Sequence, residues 1–366
     1  MSISIRVIQG KQEFSSLRNV WEELEDSLQH GNLSSSYQWL FSWWSVFEKV
    51  ENNEIGYNKS LLILEFSEEG KITGILPLVR LIRKYFGFKI SFLELLGQQW
   101  GATYLDFISR KLSFDEREGV FNFIFDNFSF DILMFKYIPQ NSPFFKPEEL
   151  ILYSACPFIN LSDFKSFEEF KNQTYSKNLK QNIRTALNRL EKKGEVLFKS
   201  IDEINHLNFE QIEKISKSKL EDKKGWVYGD KNKSEFLRRI YKALPSNVSI
   251  IKLNEISVAY RTNVFFNNIK FCLDASYDRT YGKYELGSFS MDLNIRDSFN
   301  KNVLMESMGP GTDAYKFRFT NKVKFIYFYL KPGNNFFSAL IYWPVKILAG
   351  KKAKNLLKQL STINKV

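Results

Sequence analysis

The fold is decided by residues 248–319, which read VSIIKLNEISVAYRTNVFFNNIKFCLDASYDRTYGKYELGSFSMDLNIRDSFNKNVLMESMGPGTDAYKFRF. The first part contains three segments of strand length, each apolar or alternating between apolar and polar residues. Asn254-Glu255 and Asn267-Asn268 separate the segments, and both pairs tolerate the positive φ of a two-residue hairpin turn. The pattern predicts a three-stranded antiparallel meander over residues 248–253, 256–266 and 269–276.

A helix and a short strand complete this segment. The tyrosine-rich turn YDRTYGKYELGS leads into a predicted helix of about a dozen residues that begins near Ser288. A strand is predicted at residues 303–308. The order is therefore β-β-β-α-β, and polar residues concentrate where the last meander strand meets the helix.

The first half of the chain shows the same order without obvious sequence identity. Predicted helices over residues 14–28 and 37–50 come first, followed by strands at 61–66, 72–82 and 89–96, a helix at 114–128 and a strand at 131–137. We therefore predict an α/β (α+β) fold of two tandem duplicated domains, each a mixed, mostly antiparallel sheet flanked by helices. Because residues 138–157 carry four prolines and little periodicity, the predicted boundaries are residues 1–150, 151–330 and a basic helical tail at 331–366.

Composition limits the class of protein and its partners. The chain has 366 residues, enough for two domains, and its 44% apolar share argues against disorder. The 52 Lys and Arg exceed the 41 Asp and Glu, which gives a net charge of +11. This charge favours anionic partners, such as phosphate-bearing cofactors, nucleotide sugars, RNA or an anionic membrane surface, without choosing among them.

The rarer residue types and the apolar runs give further expectations. The N-terminus lacks the apolar core of a signal peptide, and no run of 18 apolar residues occurs, so we expect a cytoplasmic protein. Cys156 and Cys272 are too few and too far apart to indicate a disulfide framework or a zinc site, and we expect no metal. His30 and His206 lie in no recognisable motif for a histidine-dependent triad.

Two basic segments stand out from the rest of the chain. A predicted helix over residues 176–194 places Lys177, Lys180 and Arg184 on one face, which suits a phosphate clamp, although such faces are usually only solvated. Residues 336–349 form an apolar segment broken by Pro344 and followed by KKAKNLLKQL. That tail is either a helix packed on its domain or a peripheral contact with an anionic membrane.

Chemistry-bearing residues gather at the end of the meander. Strict alternation along residues 269–276 would place Phe271, Leu273 and Ala275 on one face and Asp274 on the other with Cys272 and Ser276. The following turn supplies the polar residues Tyr277, Asp278, Tyr281 and Tyr284. Gly287-Ser288 then opens a helix whose free N–H groups could hold an anion, and the later loop adds Gly309, Gly311, Asp313, Tyr315 and Lys316. The convergence predicts a substrate cleft.

Successive blocks of the sequence resemble a known family. They read WEELEDSLQHGNLSSSYQWLFSWWSVFEK, GILPLV, LELLGQQWGATYLDF, NLKQNIRTALNRLEKKGEV, DASYDRTYGKYELGS and DAYKFRF. In this order they resemble the CelD-type (BioF2-like) acyltransferases of the GNAT superfamily, which are relatives of the Fem-type peptidyltransferases. The resemblance covers the chain to about residue 330 and implies two tandem GNAT-like domains.

What the resemblance implies is acyl transfer from a thioester, usually acetyl-CoA or another acyl-CoA, to an amine of an amino sugar or cell-envelope precursor. Carried onto this chain, it places the donor beside Phe271, Leu273 and Ala275, in a splay between two strands, and the donor's phosphates at Gly287 and Ser288. The phosphate loop of the superfamily is usually richer in Gly and Arg than YELGS.

Roles for single residues follow from the required chemistry. Asp274 or Asp278 could accept the proton of the amine, Tyr277, Tyr281 or Tyr284 could act as the acid, and Lys316 matches a lysine of the Fem-type block. Each residue also has a structural alternative: a buried carboxylate, stacked phenols or a surface lysine. Further candidate substrate contacts are Lys180, Arg184, Trp226, Asp313 and Tyr315, with an acceptor wall from Trp100, Tyr104 and Asp106 of the first domain.

Two other functions stay open from the sequence. A Fem-type enzyme would use aminoacyl-tRNA on a peptidoglycan-like precursor, and nucleic acid would be a partner only in that case. A non-catalytic scaffold of envelope synthesis would keep the fold and lose the chemistry. The sequence leaves the oligomeric state undetermined.

Overall fold

The chain divides into two compact units. The structure, a computed structural model, describes residues 3–28, 31–85, 87–142, 144–218 and 226–363. Unit 1 comprises residues 1–155 and 324–366, and unit 2 comprises residues 156–323. His30 lies outside the described residues. The sequence also predicts a helix over residues 203–220 and a polar loop at 221–230, and parts of both lie outside the described residues.

Unit 1 is built on a mostly antiparallel sheet. Its strands are β1 (Ser4–Ile8), β2 (Tyr57–Glu68), β3 (Lys71–Tyr85), β4 (Phe88–Leu95), the short β5 (Ile108–Ser109) and β6 (Ile132–Pro139). They lie in the order β1-β2-β3-β4-β6, with β5 paired to β3. A turn at Glu69 and Gly70, which have φ of 49° and 78°, joins β2 to β3.

The helices of unit 1 follow local capping signals. They are α1 (Lys11–Ser16), α2 (Arg18–Ser27), α3 (Tyr37–Phe47) and α4 (Phe114–Asn127). Ser36 caps α3 by accepting from the Trp39 N–H at 3.3 Å, and Ser113 with Glu116 forms a capping box on α4. Five aromatic residues of α3 are buried, so the helix packs in the core of this unit: Tyr37, Trp39, Trp43, Trp44 and Phe47.

Unit 2 also has a mixed sheet. The strand β7 (Ile151–Asn160) enters it from residue 156, followed by β8 (Val196–Asp202), β9 (Ser246–Leu253), β10 (Ile256–Phe266), β11 (Ile269–Tyr277) and β12 (Met305–Ser307). The order is β7-β12-β11-β10-β9-β8. Both predicted hairpins are confirmed: Asn254 and Glu255 have φ of 46° and 66°, and Asn267 and Asn268 have φ of 47° and 58°.

Five helices flank this sheet within the described residues. They are α5 (Phe167–Thr174), α6 (Lys177–Glu191), α7 (His206–Ser216), α8 (Lys231–Ala243) and α9 (Leu286–Asn300). The apolar side of α6, formed by Leu179, Ile183 and Leu190 with the partly buried Leu187, belongs to a core cluster that also contains Phe289 and Ile295 of α9. The core of unit 2 therefore lies between α6, α9 and the sheet.

Each unit contains the β-β-β-α-β order with one short parallel pair. In unit 1, residues 92–94 of β4 pair with residues 132–134 of β6, across α4. In unit 2, residues 269–271 of β11 pair with residues 305–307 of β12, across α9. The predicted fold class, a mixed and mostly antiparallel sheet flanked by helices, is confirmed.

The limits of the units differ from the predicted boundaries. The strand β13 (Val323–Pro332) pairs with β6 of unit 1, and the helix α10 (Phe336–Ile363) follows it as one continuous helix with Pro344 inside. Neither β13 nor β7 was predicted from the sequence, and residues 324–330 return to unit 1 rather than extending the second domain. The chain thus completes the first sheet only after it has built the second.

The described residues contain neither a membrane-spanning helix nor a cluster of metal ligands. None of their helices combines the length and apolar character needed to cross a membrane. No group of three or more His, Cys, Asp or Glu side chains among them is arranged to hold a metal ion.

Candidate active site

An opening in the sheet of unit 2 defines the candidate site. The parallel ladder between β11 and β12 ends at Phe271 and Ser307, whereas β11 continues to Tyr277. Among the described residues, no strand pairs with that edge of β11 beyond Phe271. The two strands therefore leave a wedge between them, and Gly309, with φ of +72°, starts the loop beyond β12.

A β-bulge changes the direction of the side chains at the wedge. Cys272 pairs with Asn263 and Asp274 pairs with Thr262, which leaves Leu273 as the extra residue. The prediction that Cys272 and Asp274 share a face is therefore wrong, because the bulge reverses the alternation. The Cys272 Sγ lies 3.9 Å from the Arg261 guanidinium on the α9 side, while Asp274 accepts a hydrogen bond from the Tyr260 hydroxyl at 2.5 Å on the other side.

The helix α9 begins beside the wedge with an open first turn. Glu285 precedes it in the left-handed region, with φ of +54°, and no side chain caps the turn. The Glu285 carbonyl accepts from the N–H groups of Ser288 and Phe289. The first turn of a helix carries partial positive charge and N–H donors, so this end of α9 suits an anion.

A buried polar network holds α9 on the strands of the wedge. Glu306 of β12 is fully buried and accepts from the Asn294 Nδ2 at 2.7 Å and from the Ser298 hydroxyl at 2.8 Å. Lys270 of β11 is equally buried and donates to the Asn294 carbonyl and the Ser298 hydroxyl, both at 3.0 Å. Since each ion has hydrogen-bonding partners, the network fixes the position of the α9 N-terminus relative to the wedge.

A cavity of about 400 Å³ joins the wedge to the N-terminus of α9, and three arginines line it. Arg261 is buried and donates to the Ser290 hydroxyl at 3.1 Å and the Gly287 carbonyl at 3.2 Å. Arg318 donates to the Ser288 hydroxyl at 2.9 Å, and Arg279 donates to the Tyr277 hydroxyl at 2.6 Å. The carboxylate in the lining is that of Glu285, 3.7 Å from Arg318, so the cavity is electropositive and suits a diphosphate.

Comparison with known proteins agrees with this geometry. Residues 177–317 match the family model described as an acetyltransferase (GNAT) domain. Over this range the chain is similar to GNAT acetyltransferase domains. The resemblance found in the sequence and the expectation of an acyltransferase are thereby confirmed, whereas the CelD-type subfamily stays a prediction.

Solved structures are similar in fold at low sequence identity. A crystal structure of FemX is 9% identical, with a TM-score of 0.56, over 91% of this chain and 96% of that chain. A conserved protein of unknown function from Bacteroides thetaiotaomicron VPI-5482 is 10% identical, with a TM-score of 0.54, over 88% and 99%. At such identities the likeness concerns the fold alone. No curated protein matches the chain.

Within the matched residues, several predicted donor contacts are brought together. Ala275, Tyr277, Gly287, Ser288 and Tyr315 all line the cavity. Phe271 is 2% exposed and belongs to the core, and Leu273 is the bulge residue outside the lining. The turn and helix residues predicted for the donor therefore lie at one cavity, the strand residues before the bulge do not, and the donor contacts themselves stay a prediction.

The four predicted catalytic residues have different surroundings. Asp274 is half-buried next to Tyr260, on the face of β11 that α7 contacts. Asp278 caps a short turn by accepting from the Thr280 N–H and hydroxyl, at 2.9 and 2.8 Å, and Tyr281 packs on the core cluster. Only Asp274 combines partial exposure with a position at the wedge, so it is the strongest of the four candidates.

Lys316 is buried at the base of the loop beyond β12. Its ammonium group donates to the carbonyls of Gly309, Pro310 and Gly311 at 3.1, 2.9 and 3.4 Å, and lies 3.5 Å from the Asp313 carboxylate. The three N–H groups of the ammonium are therefore occupied by carbonyls and are not free to bind a phosphate or an oxyanion. The structure thus gives Lys316, with Asp313, the role of shaping the loop instead of the chemical role expected from the sequence.

The remaining predicted substrate contacts do not converge on this cavity. Tyr284 is buried in the core of unit 2, and the Trp226 indole N–H donates to the Ser216 hydroxyl at 3.0 Å. Tyr104 and Asp106 are 5% and 2% exposed in unit 1, and the Trp100 carbonyl accepts from the Trp43 indole at 3.2 Å. Their burial leaves Tyr104 and Asp106 little surface for an acceptor, so the predicted wall is not supported.

Lys180 and Arg184 line a second depression of unit 2, which we name the cationic groove. It has a volume of about 610 Å³ between α6 and α9, with Leu187, Phe198, Phe289 and Leu293 in its lining. Five basic side chains border it: Lys171, Lys177, Lys180, Arg184 and Arg296. The carboxylate of Asp292 lies 3.8 Å from Lys171. The shared face predicted for the three basic residues of α6 is confirmed, and its ligand stays a prediction.

Sequence reasoning missed the three arginines of the cavity. Arg279 and Arg318 lie inside blocks that were quoted for the family resemblance, where tyrosines and Lys316 drew attention instead. Arg261 had a clearer signal, because it is a charged residue in the middle of the strand ISVAYRTNVFF. A buried charge in a central strand indicates either an ion pair or a ligand.

Proposed function

We propose that the protein is an acyl-CoA-dependent N-acyltransferase, most simply an N-acetyltransferase, that acts on an amine of an amino sugar or cell-envelope polysaccharide precursor. The observation that carries the proposal is the electropositive cavity between the β11–β12 wedge and the open N-terminus of α9, inside a GNAT domain. Acyl-CoA is a cytoplasmic metabolite, so the proposal places the reaction in the cytoplasm.

The cavity residues fit the donor's diphosphate. The first turn of α9 offers N–H groups, and Arg261, Arg279 and Arg318 offer guanidinium donors around it. The loop YELGS contains no arginine, unlike the usual phosphate loop of the superfamily. The three arginines of the cavity supply the missing cations from neighbouring elements. The donor supplies a thioester carbon, and the wedge offers the unpaired edge of β11 to the part of the molecule that bears it.

The protein's own part in the transfer is to move two protons. The amine nitrogen bonds to the acyl carbon, the carbon–sulfur bond breaks, and CoA leaves as a thiolate. In this assignment the Asp274 carboxylate accepts the proton that the amine loses. The Tyr277 hydroxyl, which lines the cavity, donates the proton that the thiolate takes up. Tyr260 is a positioning residue: burial and then the neighbouring Asp274 raise its pKa well above the usual value, so it stays protonated and donates to Asp274.

Kinetics with an acyl-CoA and a panel of amino sugars and nucleotide amino sugars test the proposal. Thiol release should depend on both substrates. Asp274→Asn keeps an oxygen for Tyr260, so it should leave the melting temperature unchanged and lower kcat by about 100-fold or more. Arg318→Ala should raise the KM for acyl-CoA by about tenfold or more, because a charge-assisted contact is lost.

Arg189→Ala is the matched control, since Arg189 is an exposed arginine of α6 outside the cavity. Full activity in the Asp274 and Arg318 variants would refute the assigned site. Stabilisation in a thermal shift assay should reach about 2.7 kcal/mol at a ligand concentration 100 times Kd. No stabilisation by acyl-CoA, charged tRNA or amino sugars would favour the scaffold function.

A Fem-type reaction with aminoacyl-tRNA is the second candidate, and the cationic groove is the observation that favours it. Five basic side chains around one groove suit a nucleic-acid backbone as well as a nucleotide diphosphate. In that case binding of charged tRNA should weaken steeply with salt and with Lys177→Gln and Lys180→Gln. Unchanged tRNA binding in these variants would exclude the cationic groove as the tRNA-binding site.

A further inference from the structure

The helix α10 presents a face that the fold of unit 1 does not cover. Its inward residues, among them Ser338 and Leu360, are buried, and α10 packs on β6. On the opposite side Leu340, Trp343, Ile347 and Leu348 are 58%, 58%, 55% and 59% exposed. Large apolar side chains grouped in this way on a surface mark an interaction site.

The outward side of α10 is divided along its length. The first half of this side carries the apolar residues Leu340, Pro344 and Ile347. The same spacing of three or four residues continues along the face with Lys351, Lys354 and Lys358. The first group covers about 12 Å of the helix axis, and the second group covers the same length. One continuous face is therefore apolar at its beginning and cationic at its end.

The charge of α10 has a single sign. The helix carries five lysines and no acidic residue over Phe336–Ile363. The Lys346 ammonium lies 5.2 and 5.3 Å from the rings of Tyr342 and Trp343, so a cation and two amphipathic aromatic rings stand together in the apolar half. A partner for this face must accept apolar side chains and offer negative charge.

We propose that the outward face of α10 binds the surface of an anionic lipid bilayer. The apolar half, with Trp343, enters the boundary between headgroups and acyl chains, and the lysines of the second half contact lipid phosphates. A second copy of the chain is a poorer occupant, since two faces with lysines and no acids repel each other. The proposal does not depend on the acyl-transfer chemistry.

Flotation of the full chain tests the proposal. We expect it to float with vesicles of phosphatidylcholine that contain about a third phosphatidylglycerol, and to stay behind with phosphatidylcholine alone. Binding should weaken in about 0.5 M salt, which screens exposed charges. The emission of Trp343, taken as the difference between the native chain and Trp343→Phe, should shift to shorter wavelength with the anionic vesicles.

Two sets of variants separate the halves of the face. Changing Lys351, Lys354 and Lys358 to Gln should lower the partition coefficient by on the order of 100-fold, since each lysine near an anionic surface contributes about a fivefold factor. The same change at the exposed Lys192, Lys193 and Lys199 of unit 2 alters the net charge equally and should have little effect. Leu340→Ser with Ile347→Ser should abolish the binding without lowering the melting temperature, because both side chains are exposed.

Three outcomes would overturn the proposal. One is a chain that does not float with the anionic vesicles. Another is equal loss of binding in the two lysine triples, which would show that net charge alone is responsible. The third is a concentration-dependent dimer that Leu340→Ser with Ile347→Ser dissolves, which would assign the face to a second copy of the chain.

Discussion

Lys316 and Arg318 show why a residue type near a site does not define its role. The two cations lie in the same short turn, with one residue between them. Lys316 points into the loop and is surrounded by three carbonyls, whereas Arg318 points at the first turn of α9. The sequence indicated the segment that contains both, but only Lys316 was selected from it. It could not say which was available, because that depends on the path of residues 309–311, whose two glycines have φ of +72° and +108°.

Asp106 gives a prediction at the residue scale. Burial raises its pKa to about 7, against the hydrogen bonds from Ser142 and the Phe107 N–H, both to Oδ1. The folded state therefore holds a proton that the unfolded chain has lost, so the free energy of unfolding falls as the pH rises from about 4 to about 7. Glu25, whose pKa burial raises to about 8, acts in the same direction.

Asp106→Asn should remove this contribution, because an amide stays neutral and its oxygen can accept both hydrogen bonds. We expect a gain in the free energy of unfolding at pH 8 on the order of a few kcal/mol, and little change at pH 4. Denaturant unfolding at both pH values measures it. Asp106→Ala, which leaves the Ser142 and Phe107 donors unpaired, is the control and should lose stability at both. A gain at pH 4 equal to that at pH 8 would contradict the assignment.

At the scale of elements, the hairpins were predictable and the bulge was not. The Asn254-Glu255 and Asn267-Asn268 turns carry a local backbone signal, since few residues other than Gly and Asn adopt positive φ readily. The bulge at Leu273 carries none, because one extra residue in a strand leaves the apolar pattern almost unchanged. The sequence therefore located Asp274 at the site but gave the wrong relation to Cys272.

Glu285 offers a prediction for the start of α9. It adopts φ of +54° without a glycine, and its carboxylate lies 3.7 Å from Arg318 at a helix end that favours anions. Glu285→Gly should relieve the left-handed strain by about 1 kcal/mol. It should also tighten binding of a diphosphate, because a competing negative charge is removed.

Glu285→Gln separates these two effects. It removes the charge and keeps the backbone penalty, so it should match Glu285→Gly in diphosphate affinity without its gain in stability. Calorimetric titration with CoA and thermal unfolding measure the two quantities. Weaker CoA binding in both variants would mean that the carboxylate itself contacts the ligand.

At the scale of the whole molecule, the positions of the elements along the chain determined which of them could be predicted from the sequence. The β-β-β-α-β repeat was visible in the sequence, because each copy is contiguous. The strand β13 was missed because its partner β6 lies about 190 residues earlier, and pairing at that distance leaves no local signal. The boundary between β7 and the preceding loop was hidden by the prolines of residues 138–157.

The return of β13 predicts that unit 1 needs the end of the chain. Ile326, Phe328, Tyr329 and Leu330 are buried, and burial of a large apolar side chain contributes about 1.5–3 kcal/mol. Their loss would amount to roughly 6–12 kcal/mol, comparable with the roughly 5–15 kcal/mol that stabilises a whole domain. A chain that ends after residue 323 should therefore fail to fold unit 1.

A chain that ends after residue 335 is the matched control, since it keeps β13 and lacks α10. Five of the seven tryptophans, at positions 21, 39, 43, 44 and 100, belong to the first 155 residues, so tryptophan emission reports on unit 1. The shorter chain should show no cooperative unfolding transition in this signal, and the longer chain should retain one. A cooperative transition in the shorter chain would mean that β6 forms a stable edge without β13, and that residues 1–155 alone suffice for the first unit.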